Sequence, residues 1–246
     1  MTLNAKNILI YICFMLAIGI MPELLTDDGE LGGLWVAQSA AAALLAIPAH
    51  LTVLRNDPAF DRSANNAMMG FMWRGVVIGG LSFLPCLALM IFLMVYLDHG
   101  VVIATIEFIL LWLLAGSAAF AKWGTVLPAV ITDHARSFSR AGQRGSLTFG
   151  YAFPRLLLSF GLITFVQYAV TLGTLMAFKS SGKFFPVDGS IDIPLWTSVI
   201  AGVFIGAIGL IMTAVILSRA FLLAEGTTSL NEERGQPFQT APGDLH

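Results

Sequence analysis

Long apolar runs dominate the pattern of this chain, and short polar or charged segments separate them. The hydrocarbon core of a bilayer is about 30 Å thick and takes around 20 residues of helix. Six runs meet that length: residues 8–25, 34–54, 76–97, 101–121, 154–178 and 193–218. The pattern predicts an all-α integral membrane protein with six transmembrane helices. They form one domain over 1–225, and a polar cytoplasmic tail follows over 226–246. The first run ends at Pro22-Glu23. Only Lys6 precedes it as a cation, and no small-x-small cleavage site comes before Asp27-Asp28-Gly29-Glu30. A retained first helix is expected, not a signal peptide. The run from Val101 continues to Thr132, about 48 Å at 1.5 Å per residue, which is too long for one straight span. Lys122 and Trp123 mark the expected membrane exit, Pro128 is expected to kink the chain, and residues 123–132 should lie along the cytoplasmic interface.

The two longer polar connections resemble each other. Pro48-Ala49 matches Pro128-Ala129, Phe60-x-Arg62 matches Phe138-x-Arg140, and Arg74 matches Arg155, at offsets of 80, 78 and 81. Each joins an even span to an odd one on the same side, so a parallel repeat of helix pairs is expected. In the first connection Asp57-Pro58 suits an N-cap and first helical position. Phe60, Ala64, Ala67, Met68 and Phe71 then share one helical face, opposite Arg62, Asn65 and Asn66. Each connection is expected to form a cytoplasmic amphipathic helix in the headgroup plane. This helix either only connects spans or also senses lipid or a partner.

Composition agrees with the pattern. Hydrophobic residues make up 57% and charged residues 11% of the 246, against about 25% charged in a soluble domain. Mean hydropathy is +0.82, which excludes soluble enzymes and disordered chains. A net charge of −2 provides no basic field for nucleic acid. Cys13 and Cys86 fall inside apolar runs and read as small buried hydrophobes. Eleven of the 13 cations fall before span 1, between spans 2 and 3, between spans 4 and 5, or after span 6. Among these are Arg62, Arg74, Arg136, Arg140, Arg144 and Arg155, an interfacial basic set. The other side holds Lys179 and Lys183 with Asp27, Asp28, Glu30, Asp98, Asp188 and Asp192. The positive-inside rule then puts both termini in the cytoplasm.

Residues 122–157 carry a basic residue (Lys122), an apolar turn with proline (Leu127-Pro128-Ala129), an acid (Asp133), an alanine-containing basic helix (Ala141, Arg144) and Leu147-Thr148-Phe149-Gly150. This resembles the membrane domain attached to some glycerophosphodiester phosphodiesterases, and bacterial inner-membrane proteins of the YciC type. Two departures are Lys122 in place of arginine and an Ala-to-Leu-Thr spacing one residue short. The resemblance implies a six-span protein of the bacterial cytoplasmic (inner) membrane, in a class without an assigned reaction. The sequence shows no phosphodiesterase catalytic domain, so that activity is not carried over.

Candidate chemistry is sparse. Glu107 is the one acid well inside a span, roughly 9 Å below the outer boundary. An intramembrane carboxylate is costly and by default a functional candidate. Gln38 and Thr171 are expected at comparable depth to satisfy it. It is either a neutral structural group or part of an ion or substrate path. His50, four residues after Ala46, is either a hydrogen-bonded interfacial histidine or a pigment or haem ligand, although haem b would need a second ligand. Gly202, Gly206 and Gly209, and the small cluster around Gly116, suit close helix packing, internal or between subunits. No nucleophile–base pair, HExxH or Walker motif occurs, and no metal site is predicted. No cofactor is expected, though bound lipids are. The favoured expectation is a non-catalytic scaffold, assembly factor or accessory subunit whose partners are the bilayer and another membrane protein or itself. A small-solute or ion transporter using Glu107 and a lipid-handling membrane enzyme are the alternatives.

Overall fold

The computed structural model describes residues 5–25, 32–55, 62–96, 100–132, 136–177 and 191–233. These form seven helices: α1 (Ala5–Leu25), α2 (Gly32–Arg55), α3 (Arg62–Tyr96), α4 (Val101–Trp123), α5 (Val126–Ile131), α6 (Phe138–Ala177) and α7 (Ile193–Glu233). Four segments, Ala67–Tyr96, Ile103–Trp123, Phe138–Thr174 and Ile193–Gly226, have the length and composition of membrane spans. That is the signature of a multi-pass membrane protein. The apolar parts described in α1 and α2, Ile8–Ile18 and Ala40–Arg55, are shorter.

Three helices far exceed a span. The 35 residues of α3, 40 of α6 and 41 of α7 correspond to about 52, 60 and 62 Å, against a hydrocarbon core of about 30 Å. Local caps set where two of them begin. Ser137 Oγ accepts from the Arg140 amide at 3.2 Å before α6, and Asp192 Oδ1 accepts from the Leu195 amide at 2.9 Å before α7.

The principal core gathers at one end of the bundle. The C-terminal parts of α2 and α4 and the later part of α7 meet the N-terminal parts of α3 and α6 there, around α5. Ile47, Phe71, Ala121, Leu127, Leu156 and Leu217 are among its buried members. A smaller cluster of Tyr11, Ile12, Ala41, Leu45 and Ala207 joins α1 to α2 and α7. Away from the packed end, large apolar side chains stand exposed, including Leu84, Phe92, Leu110, Phe165 and Phe204. This distribution suits a surface that meets lipid or another membrane protein.

Several expectations are corrected. The two expected interfacial helices are not separate elements, because each is the first part of a long helix that continues into an apolar segment. In α3 the buried positions Ala67, Phe71, Ile78, Ser82 and Cys86 repeat at helical spacing, so one face runs from the expected amphipathic helix into the expected span. In α6 the buried positions Ala141, Gly145, Thr148, Ala152 and Leu156 do the same, through Pro154. Membrane helices tolerate such a proline because neighbouring groups satisfy the freed carbonyl. The segment expected along the interface also differs, since all six residues of α5 are buried. Val-Leu-Pro-Ala-Val-Ile has no polar face to offer the headgroups, so it fills the core instead. The expected tail from 226 is helical up to Glu233. Within the matched repeat, Pro48 lies inside α2, whereas Pro128 sits in α5, after the Gly124-Thr125 turn. The expected Asp57-Pro58 cap and the loop around Lys179 and Lys183 lie outside the described residues.

Candidate functional site

His50 lies at the centre of the packed end with 1% of its surface exposed. The last turns of α2 carry it against α7, where Nδ1 lies 2.6 Å from Ser218 Oγ. The Phe71 ring of α3 meets it edge-on at 5.6 Å between centroids. One imidazole thus ties three helices together, and the hydrogen bond satisfies a polar group that would be costly alone in an apolar core. The core encloses the ring, and the Ser218 contact at Nδ1 fixes its orientation.

The α4–α5–α6 corner is built on close backbone approach. A methyl group at Gly145 of α6 would lie 2.6 Å from the Lys122 carbonyl carbon and 2.8 Å from the Ala121 carbonyl oxygen of α4. Only glycine lets the helices touch there. At Gly124 the same addition would come 2.7 Å from Leu217 Cδ2. Thr125 Oγ1 donates to the Ala141 carbonyl at 3.3 Å, and Lys122 Nζ donates to Ser146 Oγ. The described residues of 122–132 and 136–157 therefore form a joint between helices.

The basic residues of this end are used in different ways. Buried Arg144 donates through Nε to Glu225 Oε1 of α7 at 2.6 Å, and its guanidinium carbon lies 5.0 Å from the centre of the Phe221 ring. Arg74 donates through Nε and Nη2 to the Arg136 carbonyl at 3.3 and 3.2 Å, fastening α3 to the lead-in of α6. Arg74 also donates to the Gly70 carbonyl at 3.0 Å, and Arg155 to the Tyr151 carbonyl at 2.9 Å. Both bonds reach back four residues in the same helix. Arg136, Arg140 and Arg155 are exposed. Arg62 opens α3, and its side chain lies outside the described residues.

The intramembrane polar candidates sit on three helices. Glu107 of α4 and Thr171 of α6 are half-buried, and Gln38 of α2 is exposed. The glycines expected to pack helices face several neighbours. Gly209 lies against Ile163 of α6, where an added methyl would come within 3.1 Å, and at Gly202 it would lie 3.7 Å from Gln167 Nε2. At Gly206 it would lie 3.8 Å from the Tyr11 hydroxyl of α1, and at Gly116 it would lie 4.0 Å from Ser82 Oγ of α3. Among the described residues no three His, Cys, Asp or Glu side chains gather as a metal site.

Sequence reasoning passed over Ser218, Glu225, Gly124 and Gly145. The first two pair with residues 168 and 81 positions away, and no local pattern reports that. Gly145 had a signal in its spacing from Gly142, one turn apart beside a basic run, and Gly124 had none. No protein-family model, curated protein or solved structure matches the chain.

Proposed function

We propose that the chain is a non-catalytic scaffold, assembly factor or accessory subunit of a membrane complex. In this reading six helices, α1 and α2 included, embed it in a bacterial cytoplasmic membrane with both termini inside. One observation carries the functional part. Three of the polar side chains that would be candidates for chemistry are used as fasteners between helices: His50 with Ser218, Arg144 with Glu225, Arg74 with the Arg136 carbonyl. A reaction needs convergent groups of matched pKa held open to a substrate. Here those groups hold the bundle rigid at one end, while the remaining helix surface is apolar and suited to lateral contact in the membrane.

The test is purification of the full chain from its native membrane in mild detergent, with identification of the proteins that accompany it. A reproducible, near-stoichiometric membrane partner is expected. Recovery as a partner-free monomer that carries specific solute flux in proteoliposomes would overturn the reading in favour of a transporter. Glu107→Gln keeps shape and hydrogen-bonding capacity, so abundance and the set of partners should be unchanged. Loss of the partners at normal abundance would show that the Glu107 carboxylate itself is needed.

A further inference from the structure

An open cleft of about 390 Å³ lies between α6 and α7 at the cation-rich end, lined by Tyr151, Arg219, Leu222 and Leu223. The Arg155 guanidinium carbon sits 4.1 Å from the centre of the Tyr151 ring. Arg155, on the other helix from Arg219, thus reaches the cleft only through the Tyr151 ring that lines it. Both arginines are exposed. Tyr151, Arg155, Leu158, Leu162 and Phe165 follow one another at spacings of four, three, four and three, so they form a single stripe along α6. Leu158 is 73% and Phe165 71% exposed. On α7, Arg219 heads a similar stripe through Met212 and Ile208, both exposed. Beneath the stripes the helices are held together, with Ser159 Oγ 3.9 Å from Met212 Sδ and Gly209 against Ile163. From Arg155 to Phe165, or from Arg219 to Ile208, is about 15 Å along the axis, the depth of one leaflet.

We propose that this cleft is a binding site for an anionic glycerophospholipid. Its phosphate lies between Arg155 and Arg219, and one acyl chain runs along the groove between Leu158, Leu162, Met212 and Ile208. The inference rests on α6 and α7 being membrane spans, not on the scaffold reading. Charge complementarity selects the occupant. Guanidinium groups match phosphate oxygens in paired hydrogen bonds, and basic pockets between membrane helices favour anionic headgroups over zwitterionic ones. The Tyr151 ring holds Arg155 by stacking, which lowers the entropy lost when phosphate binds.

The experiment is native mass spectrometry of the delipidated full chain in detergent, titrated with phosphatidylglycerol, phosphatidylcholine or inorganic phosphate. The wild-type chain should retain phosphatidylglycerol at about 25-fold lower concentration than phosphatidylcholine, and inorganic phosphate should not displace it at millimolar levels. Arg155→Gln with Arg219→Gln should remove that preference, about fivefold per arginine. Arg155→Lys with Arg219→Lys should keep most of it, and Arg140→Gln, which removes a charge outside the cleft, should leave it unchanged. Equal retention of the two lipids by the wild-type chain overturns the proposal, and needs no variant to be seen. So does displacement by inorganic phosphate, an undiminished preference in the double glutamine variant, or an equal loss in Arg140→Gln. Lipid selectivity without a protein partner would leave this site standing while the scaffold reading fails, and the reverse result would do the opposite.

Discussion

His50 and Ser218 show what a single polar pair does in an apolar core. Each satisfies the other, so removing one leaves a buried polar group alone, at a cost of about 1–3 kcal/mol. Ser218→Ala and His50→Leu should each lower the thermal midpoint of the detergent-solubilised protein. The double variant should be less destabilised than the sum of the two, with a coupling of about 1–2 kcal/mol. Strict additivity would mean that the 2.6 Å contact contributes nothing. Glycine gives a sharper contrast at the same scale. Gly145→Ala sets a methyl against the α4 backbone, and overpacking of that kind costs about 3 kcal/mol. At Gly150, five residues on in the same helix, nothing lies within 4 Å of an added methyl. Gly150→Ala should therefore be neutral or stabilising by up to about 1 kcal/mol. Melting curves of the two variants side by side check this, and equal shifts would contradict the close approach at Gly145.

At the scale of elements, apolar periodicity made the helices legible but not their ends. The runs from Val101 and Ile193 lie within helices, and those from Val76 and Pro154 do so up to Tyr96 and Ala177, where the described residues end. The connections before Val76 and Pro154 are expected in the headgroup plane because an apolar face from Phe60 to Phe71 opposes Arg62, Asn65 and Asn66 in the first, and the second resembles it. The backbone has no reason to break there, since caps and breakers end helices and a charged face does not. Arg144 shows why charge misled. It is buried among the helices, and its partner Glu225 lies in α7, so the sequence around Arg144 carries no sign that its charge is compensated. The expected kink at Pro128 was misplaced for a related reason. Gly124-Thr125 makes the turn before α5, and the proline then sits within that short helix. One continuous α6 has a measurable length. Spin labels on cysteines at Ser139 and Leu172, in a background lacking Cys13 and Cys86, should be about 50 Å apart, 33 residues at 1.5 Å each. Had residues 138–153 lain in the headgroup plane at right angles to the span, the separation would be about 35 Å, and electron–electron resonance distances in nanodiscs separate the two.

At the scale of the whole molecule the question is which end faces the cytoplasm. The packed end holds Arg74, Lys122, Arg136, Arg140, Arg144, Arg155 and Arg219, on the same side of the expected spans. Buried pairing accounts for some of these. Arg144 has Glu225, and Arg74 bonds a carbonyl. Arg140, Arg155 and Arg219 are exposed, and exposed cations next to spans are the ones retained on the cytoplasmic side during insertion. The proposed orientation, with both termini inside, rests on these exposed charges. A cysteine at Ser229, in the last turns of α7, should be protected from an impermeant maleimide in intact cells and should react after lysis. A cysteine at Ser181, between the apolar runs of α6 and α7, should react in intact cells. Labelling at 229 with protection at 181 would invert the molecule and put the arginine-lined cleft in the outer leaflet. Labelling of both sites in intact cells would mean that α7 does not cross the membrane.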